Sequence, residues 1–477
     1  MNLSRYTRTA ALAAALSALL GTGVLAAPAT AHPAGPAAPS PGSDHGQPEV
    51  RRLIVGYKPG TAQARSDAAV RKSIEAQPQA AGEQAVRFER RLATGAVLLD
   101  LKEPVAPGDL HKITSRLTAD KDVAYAQPDA TVYPMAAPDD PLYPLQWDLY
   151  EERGGMNVPD AWPLSTGKGV QVAVIDSGYA THSDLDANIV DGYDFVSDPK
   201  SARDGDGRDD NYHDPGTWRL EGYCPAPFDH AVPSSWHGTH VAGTIAAQTN
   251  NGKGVASTAY DAKVQPVRAL GACGGTEADI GEALIWASGG SVPDVPDNPA
   301  PSKVVNMSLG YKAPCSPFFQ DSINAAARRG VTVVVSAGND NANASDYAPG
   351  NCTNVITVAA SNRNAERAQY SNYGSRIDIT APGGKGGGIG GPDDIGSTYN
   401  QGKTDPGRET YGYLYGTSMA APHISALAAL LLQRNPNLTP AQIEQAITTT
   451  ARPMPSCGSN CGAGLADAAK AVRSVRP

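Results

Sequence analysis

The sequence predicts an α/β protein, a doubly wound and mostly parallel sheet preceded by a small α+β domain. Three observations carry this reading. Five short Val-rich runs recur between residues 170 and 360 and are apolar on both faces, as central parallel strands covered by helices require. Helical patterns separate these runs, and a strand–helix–strand succession winds a parallel sheet. Upstream of residue 135 a shorter set of strand and helix signals forms a unit of its own, large enough for one modest core.

The elements follow in order. Arg5 and Arg8 precede an apolar stretch over 10–27, and Ala29-Thr30-Ala31 offers small residues for cleavage. This pattern reads as a signal peptide over 1–31. Its Gly and Pro interruptions argue against a retained membrane anchor. Residues 32–50 are rich in Pro, Ala, Gly and Ser and read as a spacer. Over 51–136, strand signals at 53–57, 96–101 and 123–126, with Val132 and Tyr133 shortly after, accompany helical patterns at 66–76 and 110–117. Two helices against a small sheet make an α+β unit. The segment from Met135 to Asp140 is a small-residue joint suited to proteolytic nicking.

The large domain occupies 137–477. Its strand runs are 170–175, 264–269, 304–308, 331–336 and 355–360. Its helical patterns are 240–248, 277–287, 322–329, 418–434 and 440–449. No later run is apolar for long enough to span a bilayer.

Charge and cysteine usage narrow the class. The formal net charge of -9 disfavours nucleic acid and anionic membranes as partners, and suits acidic cation sites. Six cysteines all lie beyond residue 200, and export permits them to pair. Their number allows fifteen connectivities, so the sequence alone does not choose. The expected pairing runs in sequence order: Cys224–Cys273, Cys315–Cys352 and Cys457–Cys461.

Three separated motifs carry the chemistry. Val174-Ile175-Asp176-Ser177-Gly178 places a carboxylate at the end of a buried strand. His237-Gly238-Thr239-His240-Val241-Ala242-Gly243 supplies an imidazole in a small-residue segment. A zinc pair of His237 and His240 is disfavoured, because zinc-peptidase histidines stand four apart with a Glu between them. Gly416-Thr417-Ser418-Met419-Ala420-Ala421-Pro422 sets a hydroxyl at a helix N-terminus, where free N–H groups and the dipole favour an oxyanion. Pro422 fits if it lies in the first helical turn. A serine hydroxyl becomes a useful nucleophile only beside a base whose tautomer an acceptor fixes. Ser336-Ala337-Gly338-Asn339 closes another buried strand with an amide able to donate to the same oxyanion.

Together these four segments resemble the subtilisin-like serine peptidases, and the resemblance runs from about Gln146 to about Val475. The chain order Asp, His, Ser is that of subtilisin. The resemblance implies that Asp176 orients the imidazole, His237 is the base and Ser418 the nucleophile. Asn339 with the Ser418 N–H then forms the oxyanion hole. It implies a substrate cleft walled by Ser308, Leu309, Gly310, Ala337 and Gly338, with Gly274, Gly275 and Thr276 as an edge strand for extended peptides. The unit at 51–136 resembles the family's inhibitor-type propeptide, an intramolecular plug removed by self-cleavage. The product would be a secreted, extracellular, monomeric endopeptidase acting on protein and peptide substrates, with no membrane anchor in its mature form.

A cation is also expected. Asp204, Asp206, Asp209, Asp210 and Asp214 crowd one loop, and such repulsion needs a cation or arginines. The expected structural Ca²⁺ ligands are Asp204, Asp206, Asp209 and Asp214. The resemblance adds Asp184, with a carbonyl loop at 250–255.

Overall fold

The computed structural model describes residues 50–75, 86–105, 107–129, 137–226, 229–387 and 390–476. The expected signal peptide, all of the spacer but Val50, and Val132, Tyr133, Met135 and Ala136 lie outside these residues. The chain divides into two compact units, Met1–Pro134 and Met135–Pro477.

In the first unit, strands β1 (Val50–Tyr57), β2 (Val86–Arg91), β3 (Val97–Val105) and β4 (Val123–Pro128) form an antiparallel sheet in the order β2-β3-β1-β4. Its helices are α1 (Ala62–Arg65), α2 (Asp67–Glu75) and α3 (Pro107–Ala119). Leu53, Val55, Leu99 and Leu101 from the sheet pack with Val70, Ile113 and Leu117 from α2 and α3. Strand β2 has no counterpart in the sequence reading. It reads Val-Arg-Phe-Glu-Arg-Arg, and its apolar alternation stops after Val86 and Phe88, where the register shifts.

The second unit is built on seven parallel strands. These are β5 (Gln171–Asp176), β6 (Tyr193–Asp194), β7 (Lys263–Arg268), β8 (Val304–Met307), β10 (Thr332–Ser336), β12 (Ile356–Ser361) and β13 (Ile379–Pro382). Their order is β13-β12-β10-β8-β5-β7-β6. Two short ladders accompany them: β9 (Tyr311–Lys312) with β11 (Tyr347–Ala348), and the hairpin of β14 (Ile395–Asn400) and β15 (Glu409–Leu414). Side chains alternate across the sheet with period two. Val172 and Val174 enter one hydrophobic cluster, and Ala173 and Ile175 enter the other.

Helices cover both faces. Helices α6 (His237–Ala246) and α9 (Thr417–Arg434) fill one cluster, backed by α10 (Pro440–Thr449) and α11 (Ala468–Ser474). Helices α7 (Glu277–Ala287) and α8 (Pro317–Arg328) fill the other. The short α4 (Trp147–Tyr150) and α5 (Pro199–Ala202) lie in connections. Two helices begin earlier than their apolar pattern. Helix α8 starts at Pro317 because Ser316 caps it, its hydroxyl accepting from Phe319 N at 3.2 Å. Helix α6 starts at His237, where small residues hide the periodicity.

Candidate active site

Asp176 is the last residue of β5 and is fully buried. The first residue of α6, His237, directs Nδ1 at both Asp176 oxygens, 2.8 Å from Oδ1 and 2.9 Å from Oδ2. Nδ1 must therefore carry the proton, and Nε2 is left as the free base. Ser177 N donates to Asp176 Oδ1 at 2.7 Å and fixes the carboxylate plane. Burial alone would lower the His237 pKa, but Asp176 and then Asp214 raise it above the ordinary 6.5.

Ser418 is the second residue of α9, which places its hydroxyl among the free amides of an 18-residue helix. Its Oγ donates to the Ser308 carbonyl at 3.1 Å. Pro422 lies inside the helix, beyond the first turn where it was expected. Proline cannot donate to the Ser418 carbonyl, and the Ser308 hydroxyl does so at 2.8 Å.

Asn339 follows β10. Its Oδ1 accepts from Thr417 N at 2.8 Å and from Thr417 Oγ1 at 3.0 Å, leaving the Nδ2 donors free to point elsewhere. A Cβ on Gly416 would stand 3.5 Å from Asn339 Nδ2 and 3.6 Å from Ser418 N. Both amide donors thus border one point, kept empty by a glycine at φ +149°. Asn372 braces this turn, donating to Ala337 O at 2.9 Å and accepting from Asp340 N and Ala342 N at 3.0 Å.

A carboxylate-oriented imidazole, a hydroxyl at a helix start and two nearby amide donors are the parts that acyl transfer to serine uses. The chain matches the subtilase family over residues 167–464. It is a subtilase. An extracellular protease of Xanthomonas campestris pv. campestris is 44% identical over 432 residues, covering 89% of this chain and 73% of that one. An extracellular basic protease of Dichelobacter nodosus is 40% identical over 441 residues, covering 90% and 71%. Among solved structures, a protease from Pseudoalteromonas arctica is 51% identical with a TM-score of 0.70, covering 71% of this chain and 99% of that one. The subtilase is an extracellular serine protease. Among its described residues no helix is long and apolar enough to cross a membrane.

Other expected residues fall as follows. Ser308, Leu309 and Gly310 follow β8, and Ala337 and Gly338 follow β10. Gly338 has φ +100°, and a Cβ there would meet Asn372 Nδ2 at 2.3 Å. The segment Gly274-Gly275-Thr276 is not a strand. Gly274 turns back to Gly271, and Thr276 caps α7, its hydroxyl accepting from Asp279 N at 3.0 Å. Cysteines join as Cys224–Cys273, Cys315–Cys352 and Cys457–Cys461, with Cα separations of 5.5, 5.2 and 5.9 Å. His240 is not aimed at a metal. Its Nε2 faces the carbonyls of Ile395 and Gly412 at 3.0 and 3.2 Å, and burial drives its pKa down to about 3.

Structural calcium is general among subtilases, but the five aspartates expected to bind it do not converge. Asp204 pairs with Arg268, a buried guanidinium that also holds Asp194 and the Ala202 carbonyl. Asp209 accepts from Asn211 N at 2.9 Å, and Asp206 is exposed. Asp184 accepts from Asn251 Nδ2 at 2.6 Å and Val255 N at 3.2 Å. Asp214 lies behind Asp176 and His237, accepting from Ser177 Oγ and Gly216 N, each at 2.8 Å. Among the described residues no group of three or more His, Cys, Asp or Glu is placed to hold a metal ion. Arg268 offsets the charge of Asp204, while burial, with Asp206, Asp204 and Asp210 beside it, still raises the Asp209 pKa. Four of the five carboxylates already face N–H, O–H or guanidinium donors, so this set does not fit a calcium cage.

Sequence reading missed several supports. Ser177 connects Asp214 to α6, since its Oγ accepts from Gly238 N at 3.1 Å. Thr417 ties Asn339 to α9, and Asn372 holds the turn between them. Thr417 and Ser177 sit inside the motifs, which is the only signal the sequence offers for them.

Proposed function

We propose that this subtilase hydrolyses peptide bonds through the triad Asp176, His237 and Ser418. The observation that carries the reading is the His237–Asp176 pair, which leaves Nε2 unprotonated and free to take the Ser418 proton. Ser418 Oγ attacks the scissile carbonyl carbon, and the tetrahedral oxyanion is held by Asn339 Nδ2 and the Ser418 N–H. His237 then protonates the leaving amine, and water repeats the sequence on the acyl-enzyme. Residues 308–310 and 337–338 flank the substrate, with Gly274 and Gly275 at its edge.

The precursor reading assigns 1–31 to a signal peptide, 32–50 to a spacer, 51–136 to an inhibitor-like propeptide and 137–477 to the enzyme. The separate antiparallel unit ending at Pro134 supports that division. Self-cleavage near Ala137 would release the enzyme. Purified Ser418→Ala precursor tests both parts: it should neither hydrolyse casein nor mature. Retained hydrolysis overturns the mechanism, and maturation without hydrolysis overturns self-processing alone.

A further inference from the structure

Trp236, the residue before His237, has left-handed backbone with φ +48°. A bulky side chain there is an outlier that persists only where the surroundings impose it. Here they do. The side chain is fully buried, and its indole N–H donates to the Gly402 carbonyl at 2.7 Å. The Trp236 carbonyl accepts from His240 N at 3.1 Å, so the same residue also starts α6.

Gly402 belongs to the loop joining β14 to β15, and that loop is rigidly braced. Asn400 Oδ1 accepts from Gly402 N at 2.9 Å and from Gly407 N at 2.7 Å. Asn400 Nδ2 donates to Gly407 O at 3.1 Å. Ser234, two residues before Trp236, donates its N–H to Lys403 O at 2.8 Å and its hydroxyl to Thr404 O. The strands grip α6 as well. Ser397 Oγ donates to His240 O and Thr398 Oγ1 to Thr239 O, each at 2.8 Å. Strand β15 ends at Leu414, two residues before the Gly416 that opens the Ser418 helix.

We propose that Trp236 is a positioning residue. Its indole, seated on Gly402 O, holds the left-handed turn that aims His237, and the β14–β15 hairpin sets base and nucleophile in one frame. The proposal rests on the triad reading above. Neither Trp236 nor the hairpin touches the reacting atoms. A base displaced by about 1 Å costs on the order of 10²-fold in rate while substrate binding is untouched.

Steady-state kinetics on the mature enzyme test this. Trp236→Phe keeps an aromatic ring but loses the N–H donor with its pyrrole ring, and should lower kcat by about 10–10²-fold with KM nearly unchanged. Asn400→Ala loosens the same loop from the other side and should lower kcat in the same direction. The double variant should lose no more than the worse single variant. Multiplying losses, a change confined to KM, or wild-type kcat in Trp236→Phe would overturn the proposal. If Trp236→Phe does not fold, Asn400→Ala decides, and an unchanged kcat in it refutes the positioning role. Ser418→Ala, run alongside, separates the two ideas. Activity in that variant sinks the triad itself, whereas its inactivity beside a fully active Trp236→Phe sinks only the role of Trp236.

Discussion

Ser308 and Ser418 exchange hydrogen bonds: the Ser308 hydroxyl donates to the Ser418 carbonyl at 2.8 Å, and Ser418 Oγ donates to the Ser308 carbonyl at 3.1 Å. The first bond replaces the amide that Pro422 lacks, and the second parks the hydroxyl proposed as nucleophile. Ser308→Ala should therefore destabilise the enzyme by about 1–3 kcal/mol, the cost of an orphaned buried carbonyl. Urea denaturation of the inactivated protein measures this. An unchanged midpoint would mean that water satisfies Ser418 O instead.

Asn339→Ala should lower kcat by about 10²–10³-fold with little change in KM, the loss known for removing the equivalent oxyanion donor in subtilisin, a relative. Asn339 Oδ1 also accepts from Thr417 N, so some stability should be lost as well. Thr417→Val, which removes the hydroxyl bond to Asn339 Oδ1, should show a smaller fall in the same parameter. A KM effect alone in Asn339→Ala would place the residue in substrate binding.

The pH profile should report Asp214. Burial opposes protonation of His237, while Asp176 and then Asp214 raise its pKa above 6.5. The base works when neutral, so activity fails as pH falls through this raised value. Asp214→Asn removes one raising charge, and the acid limb of kcat/KM should move to lower pH. Asp214 itself is pushed up to about 6 by burial, with the Gly216 and Ser177 hydrogen bonds and Arg268 opposing and Asp176 reinforcing the shift. His240 stays neutral across the working range. An unmoved or raised acid limb would show that Asp214 acts only as a structural acceptor for Ser177.

Arg268 should be the main support of the buried carboxylates Asp194 and Asp204. Arg268→Met strands Asp194 and Asp204 and should cost about 3–5 kcal/mol, as breaking a buried pair does. Asp206→Asn and Asp209→Asn should leave the rate of thermal inactivation in EDTA unchanged relative to the parent enzyme. If either substitution abolishes protection by added Ca²⁺, the loop binds the metal after all.

Where the sequence was legible, the reason is local. The five expected strands coincide with β5, β7, β8, β10 and β12 within a residue or two, because double-sided burial writes an unbroken Val-rich run. Helices α7 and α10 fall on their expected residues, with Thr276 and Thr439 as clear caps. The site motifs place Asp176, His237, Ser418 and Asn339 because each marks a strand end or helix start. What stayed hidden depends on distant partners. Strand β13 is four residues long, and the β14–β15 hairpin alternates Gly, Thr and Tyr too weakly to register. The arginine partner of Asp204 stayed hidden because it comes from β7, 64 residues further on in sequence. Trp236 carries no mark in a linear reading, since only its backbone angle and the far Gly402 carbonyl give it a role.

The parallel sheet draws its carboxylate and its hydroxyl from opposite ends of the domain, Asp176 on its earliest strand and Ser418 after its latest. A chain emerging from N- to C-terminus contains Asp176 and His237 long before Ser418 exists. Pairing such distant segments is intrinsically slow, because loop closure is paid for before the contacts form. On the proposed triad, hydrolysis therefore waits for α9 to dock on the finished sheet.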